Sequence, residues 1–140
     1  MKSTTFLTFV GDQCGKAEEA MQFYTSVFPN SEINSITKYK HGEPAGTPEL
    51  VKHGVFTLNG TTYMISENNY NHAWSMSPGV SLFVESGDES EIDALFEKLS
   101  DGGMVMVPLD HYPSDNYGFG KKFGWCADKY GVNWQFNLSD

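Results

Sequence analysis

Two stretches of this chain carry the same order of secondary-structure signals, and that repetition constrains the fold more than any other feature. In the first, Ser3 to Val10 is β-branched and aromatic and reads as a strand. Gly11 to Gly15 is a turn. From Lys16 to Phe28 the apolar positions Ala17, Ala20, Met21, Tyr24, Val27 and Phe28 follow the i, i+3, i+4, i+7 spacing of an amphipathic helix. Glu18 and Glu19 lie in its first turn, where the helix dipole favours acids. Ile33 to Lys40, Val51 to Leu58 and Thr61 to Ser66 read as strands. Asn59-Gly60 joins the last two, and both residues tolerate the positive φ of a tight hairpin.

The order then returns. Val80 to Glu85 is a strand. Asp88 or Ser90 caps a helix with apolar Ile92, Leu95, Phe96 and Leu99, and Gly102-Gly103 ends it. Met104 to Leu109 is a strand, and Lys121 to Ala127 and Val132 to Leu138 form a hairpin around Tyr130-Gly131. The two helices lie about 75 positions apart on this reading. One strand–helix–strand–strand–strand unit cannot cover both faces of its own sheet. The expectation is an α+β protein of two βαβββ modules, residues 1–67 and 80–140, whose sheets curve around a shared cavity.

Composition narrows the partners. The 140 residues include nine Lys and no Arg against 18 acids, a formal charge of −9. Nucleic acid and anionic membrane both need clustered positive charge, so neither is expected as a partner. The missing guanidinium removes the usual fork for phosphate and carboxylate. Residues 1–70 carry a net −2 and residues 71–140 a net −7, concentrated on the 88–101 helix. That face reads either as a docking surface for a basic partner or as a solvated helix face. Residues 1–7 hold no long apolar run, so a cytoplasmic protein with free thiols at Cys14 and Cys126 is expected. The sequence contains no Cys-x-x-Cys, His-Glu-x-x-His, Walker-type or Gly-x-Ser-x-Gly motif.

Three stretches together carry a resemblance. They are Gly15 to Ser31 (GKAEEAMQFYTSVFPNS), Leu58 to Met64 (LNGTTYM) and Gly124 to Gln135 (GWCADKYGVNWQ). The chain resembles the PhnB-like group, also labelled 3-demethylubiquinone-9 3-methyltransferase-like, of the vicinal oxygen chelate superfamily. That superfamily holds glyoxalase, bleomycin-resistance and dioxygenase proteins. The resemblance runs from about Thr5 to Phe136. It implies a single glyoxalase/bleomycin-resistance-like domain over 1–140, with curved mixed sheets around a cavity, and a homodimer. The methyltransferase label stands as a family name, because the chain has no glycine-rich S-adenosylmethionine loop.

Metal-dependent relatives place His, Glu or Gln on the first strand of each module and near its last strand. Transferred by position, those places fall on Thr5, Glu67, Ser81 and Gln135. Neutral hydroxyls and one amide make a weak set for Zn, Ni, Fe or Mn. The expectation is therefore no metal and no other cofactor. His53 is the rival observation. In the alternating row Val51, His53, Val55 and Thr57 it is either a cavity-facing ligand or base, or a histidine hydrogen-bonded within the sheet. His41, His72 and His111 lie in loops.

The last strand alternates apolar Val132, Trp134, Phe136 and Leu138 with polar Asn133, Gln135 and Asn137. The apolar row should pack under the helix and the amides should face cavity or solvent. Tyr63, Trp74, Tyr112, Tyr117, Phe119 and Trp125 are candidates for an apolar wall, with core or dimer contact as the alternative. Candidate ligand-binding residues are Thr5, His53, Glu67, Ser81, Asn133 and Gln135. The reading carried forward is a metal-free binder of a small, mostly apolar, neutral or cationic molecule. Its rivals are a divalent-metal lyase, isomerase or dioxygenase using His53, Glu67 and Gln135, and a structural dimer with no small ligand.

Overall fold

The computed structural model describes residues 1–113, 118–119 and 121–139. The chain divides into two compact units, Met1–Ser75 and the remainder from Met76. The first holds β1 (Thr5–Phe9), a short 3-10 turn (Gly11–Gln13), α1 (Ala17–Val27), β2 (Glu32–Lys38), β3 (Val51–Leu58) and β4 (Thr61–Glu67). Its sheet order is β1-β4-β3-β2, with β1 parallel to β4 and the other pairs antiparallel. The second holds β5 (Leu82–Ser86), α2 (Glu89–Ser100), β6 (Met104–Asp110), β7 (Lys122–Ala127) and β8 (Asn133–Leu138). Its order is β5-β8-β7-β6, again with the first and last strands of the unit parallel. The α+β class and the repeated βαβββ order are therefore present, each unit with a mixed sheet. Strand and helix ends differ from the sequence reading by a residue or two, as at β5, which starts at Leu82 instead of Val80.

Each helix covers one face of its own sheet. In the first unit Ala17, Ala20, Met21 and Tyr24 are buried, and Tyr24 stacks on Phe56 at 6.1 Å, which stacks on Tyr63 at 5.5 Å. Gly54 lies mid-strand beneath them, where an added Cβ would come within 2.9 Å of Met21 and Ile65 side-chain atoms. A side chain there would have to displace those side-chain atoms. In the second unit Ile92, Leu95 and Leu99 are buried and Phe96 meets Phe136 edge-on at 5.5 Å. Gly124 occupies the matching place in β7, with Phe96 2.9 Å and the Leu109 backbone 3.0 Å from its would-be Cβ.

The turns follow their residues. Asn59 (φ 45°) and Gly60 (φ 88°) both take positive φ in the β3–β4 hairpin. The β7–β8 turn is built around Asp128. This buried acid accepts from the backbone N–H of Tyr130 at 2.8 Å and of Val132 at 3.0 Å, and from Trp134 Nε1 at 2.9 Å. Cys14 and Cys126 are both free. Burial first, then Asp128, pushes the Cys126 thiol up to about 12. No helix among the described residues is long and apolar enough to cross a membrane.

Candidate functional site

Paired residues on neighbouring strands point their side chains to the same side of a sheet, so register divides the candidates between faces. In the first unit Phe56 and Ile65 lie on the helix face. The pairings Thr5↔Tyr63, Phe56↔Tyr63 and Gly54↔Ile65 put Thr5, Tyr63 and Glu67 on that face too. The far face carries Phe6, Thr8, His53, Val55, Met64 and Ser66. Thr5 and Glu67 therefore face the helix, and His53 points away from both.

Glu67 is only 1% exposed, and both its carboxylate oxygens are committed. Oε2 accepts from the backbone N–H of Gly15 at 2.6 Å and of Ala17 at 3.3 Å. Oε1 accepts from the Val51 N–H at 2.7 Å. The first two are donors at the start of α1, where no intrahelical partner exists and the dipole favours an anion. Lys16, the residue before the helix, supplies no side-chain cap. Glu67 thus closes α1 from a different strand. It also acts on Cys14, whose thiol is raised by burial first and by the Glu67 charge second. Tyr39 Oη donates to the Glu67 carbonyl at 2.7 Å. His53 is half-buried and lies beside Phe6, with ring centroids 6.3 Å apart.

In the second unit the candidates come together. Phe136 and Trp134 mark the helix face of β8, so Asn133, Gln135 and Asn137 share the far face. Phe83↔Gln135 and Trp125↔Gln135 place an aromatic on either side of Gln135 in neighbouring strands. Gln135 Nε2 donates to Ser81 Oγ at 3.2 Å, which fixes the amide end. Its two neighbours have other work, contrary to the expectation of a uniformly presented polar row. Asn133 is 4% exposed, accepts from Trp125 Nε1 at 3.0 Å and donates to the Gly131 carbonyl at 3.2 Å. Asn137 is also buried and donates to Glu85 at 3.3 Å. Buried amides bond wherever the sheet offers partners, so only Gln135 remains half-exposed.

An aromatic run borders it. Phe119 lies 5.0 Å from Phe83 and stacks on Phe123 at 5.2 Å, and Phe83 and Phe119 are exposed. The sequence reading named Phe119 and Trp125 but missed Phe83 and Phe123. Phe83 sits in the apolar run Leu82-Phe83-Val84, which hides the alternation that would have marked its face. Tyr117 lies outside the described residues. Asp110, His111 and Tyr112 are adjacent in sequence but bond to separate partners. Asp110 accepts from the His111 backbone at 2.7 Å, His111 Nδ1 meets the Lys121 carbonyl at 2.8 Å, and Tyr112 Oη donates to the Pro108 carbonyl at 2.7 Å.

The residues considered for a divalent metal do not fit one. His53 and Glu67 lie on opposite faces of one sheet, and the Glu67 oxygens already accept three backbone N–H groups. Among the described residues no three His, Cys, Asp or Glu side chains form a group that could hold an ion.

The family model for 3-demethylubiquinone-9 3-methyltransferase matches residues 1–137. A Bacillus cereus structure, described as a PhnB protein and 3-demethylubiquinone-9 3-methyltransferase, is 46% identical. The alignment covers 99% of this chain and 100% of that one, with a TM-score of 0.86. The chain belongs to this PhnB-like family. Two more distant structures share the fold of the PhnB-like chain. Protein PA1353 from Pseudomonas aeruginosa is 22% identical over 99% of this chain and 98% of its own, with a TM-score of 0.80. The fosfomycin resistance protein FosX from Listeria monocytogenes is 16% identical over 100% and 94%, with a TM-score of 0.66. The PhnB-like family expected from the three sequence stretches is thereby shown. Among curated proteins, none matches the chain.

Proposed function

We propose that this PhnB-like protein binds a small, mostly apolar, neutral or cationic molecule without a metal, using the far face of the second sheet. The observation that carries the reading is Gln135. It is a half-exposed, uncharged amide anchored at one end by Ser81 and set between Phe83 and Trp125. Apolar walls with a few placed polar groups are the usual make-up of a small-molecule site. The Phe83–Phe119–Phe123 run supplies flat apolar surface, and Gln135 orients a ligand without demanding a charge. The chain has no arginine to hold a phosphorylated ligand, and Glu85 and Asp110 on this face disfavour anions. We read the active form as a homodimer. Sedimentation would then return about twice the 15.6 kDa chain mass, and a single-chain species would remove that part.

The test is titration with the neutral fluorescent probe N-phenyl-1-naphthylamine, before and after chelator treatment. Saturable binding indifferent to chelator, and weakened about tenfold by Phe83→Ala, is expected. Gln135→Leu should alter selectivity between hydrogen-bonding and purely apolar probes. Near-stoichiometric metal in protein purified without chelator, or binding that appears only on adding a divalent cation, would overturn the reading.

A further inference from the structure

The first unit carries a second place where chemistry collects, away from either sheet face. A groove of about 360 Å³ lies between the 3-10 turn after β1 and the segment after β4, lined by Asp12, Gln13, His72, Trp74 and Ser75 among others. It is open to solvent, so a ligand would lie along it with one side exposed. Trp74 is 53% exposed, and its ring lies 4.5 Å from that of His72, so one wall is aromatic.

The acid that lines this groove is Asp12, and Asn68 stands behind His72. Asp12 brings a carboxylate. Asn68 Oδ1 accepts the Tyr70 backbone N–H at 3.1 Å, which fixes that amide's orientation. The same oxygen lies 2.9 Å from His72 Nε2, which holds the imidazole ring in place beside Trp74. Gln13 Oε1 is closed off from water and has no hydrogen-bond partner among the described residues. No lysine lines the groove, and the chain has no arginine. An acid and an exposed indole, with no lysine or arginine in the lining, match one ligand chemistry: a positive charge bearing N–H donors on an apolar body.

We propose that this groove binds a small organic ammonium ion, with its N–H groups directed to Asp12 and its apolar part laid on Trp74. The proposal uses first-unit residues only and stands apart from the Gln135 face. Benzylamine is a suitable probe, with benzyl alcohol and benzoate as uncharged and anionic counterparts. Saturable binding of benzylamine is expected, with a shift of the Trp74 indole N–H signal. Affinity should fall about threefold to tenfold in both Asp12→Asn and Trp74→Ala. The alcohol and benzoate should bind more weakly than the amine, and added salt should weaken amine binding. Both substituted residues are exposed, so far-UV circular dichroism should match the parent protein. Unchanged affinity in either first-unit variant, loss in Phe83→Ala alone, or equal binding of the alcohol would overturn the proposal.

Discussion

Helix α1 is held at its start by Glu67, a buried carboxylate that reaches it from β4, whereas α2 starts on Asp88, an exposed residue beside its first turn. Asp88 Oδ1 accepts from the Ser90 N–H at 3.0 Å, the Glu91 N–H at 3.4 Å and the Ser90 hydroxyl at 2.7 Å. Both arrangements answer the same need, the unpaired N–H groups of a helix start. They differ in what else they hold. Asp88 ties the helix to itself. Glu67 ties α1 to β4 and, through the Val51 N–H, to β3. A local cap is a property of the helix, and a remote one is a property of the unit.

The largest effect should therefore come from Glu67. Glu67→Gln keeps the size but replaces one acceptor oxygen with an N–H₂ group facing backbone donors. Breaking a buried charged group out of its partners costs about 3–5 kcal/mol. Chemical denaturation should show a loss of that order, with far-UV circular dichroism tracking whether the first unit stays folded. Three backbone donors account for this acid. A Glu67→Gln protein of parent stability would break the contrast and return Glu67 to the pool of ligand candidates.

The same contrast explains what was legible in the sequence. Asp88 was read as a cap, with Ser90 as its rival, because capping is local and the helix period marks where to look. The element order and the Asn59-Gly60 hairpin were legible for the same reason. Glu67 enters as a possible metal ligand by positional transfer from metal-dependent relatives, and its actual partners Gly15, Ala17 and Val51 are too far away in sequence to leave a local pattern. Face was the other casualty. A strand's side chains reverse direction at every residue, so a transfer by position that is one residue off lands on the wrong side. Thr5 faces the helix, while its neighbour Phe6 lies on the face of His53. Gln135 escaped this problem because the alternation of the last strand is unbroken from Val132 to Leu138. That pattern assigned its face, although it could not reveal that Asn133 and Asn137 are taken up by Trp125, Gly131 and Glu85.

The two helix–sheet contacts sharpen the comparison at an intermediate scale. Gly54 and Gly124 occupy matching strands, but the neighbours of an added methyl differ. At Gly124 the Leu109 backbone lies 3.0 Å away together with the Phe96 ring, so relief requires movement of a strand. Gly124→Ala should cost about 1–3 kcal/mol. At Gly54 the close atoms are all side-chain, the flexible Sδ–Cε end of Met21 and the Cγ2 methyl of Ile65. Met21 can swing aside, and the stiffer unfolded chain returns about 0.4–1 kcal/mol. Gly54→Ala should therefore lie within about 1 kcal/mol of the parent. Parallel urea titrations check the order. Equal losses at the two sites would mean that the first unit is as rigidly packed under its helix as the second.

The smallest effect belongs to Asp88, and its pH dependence separates charge from geometry. The Ser90 hydroxyl first, then the Glu91 and Ser90 backbone N–H groups, hold the Asp88 carboxyl below the usual carboxylate range. A group whose folded value is depressed contributes stability above its unfolded value, about 3.9 for Asp, and loses it as pH falls through the folded value. Asp88→Ala should lower the denaturation midpoint at pH 7 by a small fraction of the Glu67→Gln effect. The difference from the parent should hold constant down to about pH 5 and shrink below about pH 4 as Asp88 takes up its proton. Asp88→Asn keeps an acceptor for the same N–H groups without the charge. It should retain most of the parent stability at pH 7, the remainder measuring the carboxylate's interaction with the helix dipole. If Asp88→Asn lost as much as Asp88→Ala, the charge alone would hold the start of α2, and the two helix starts would differ only in where their anion comes from.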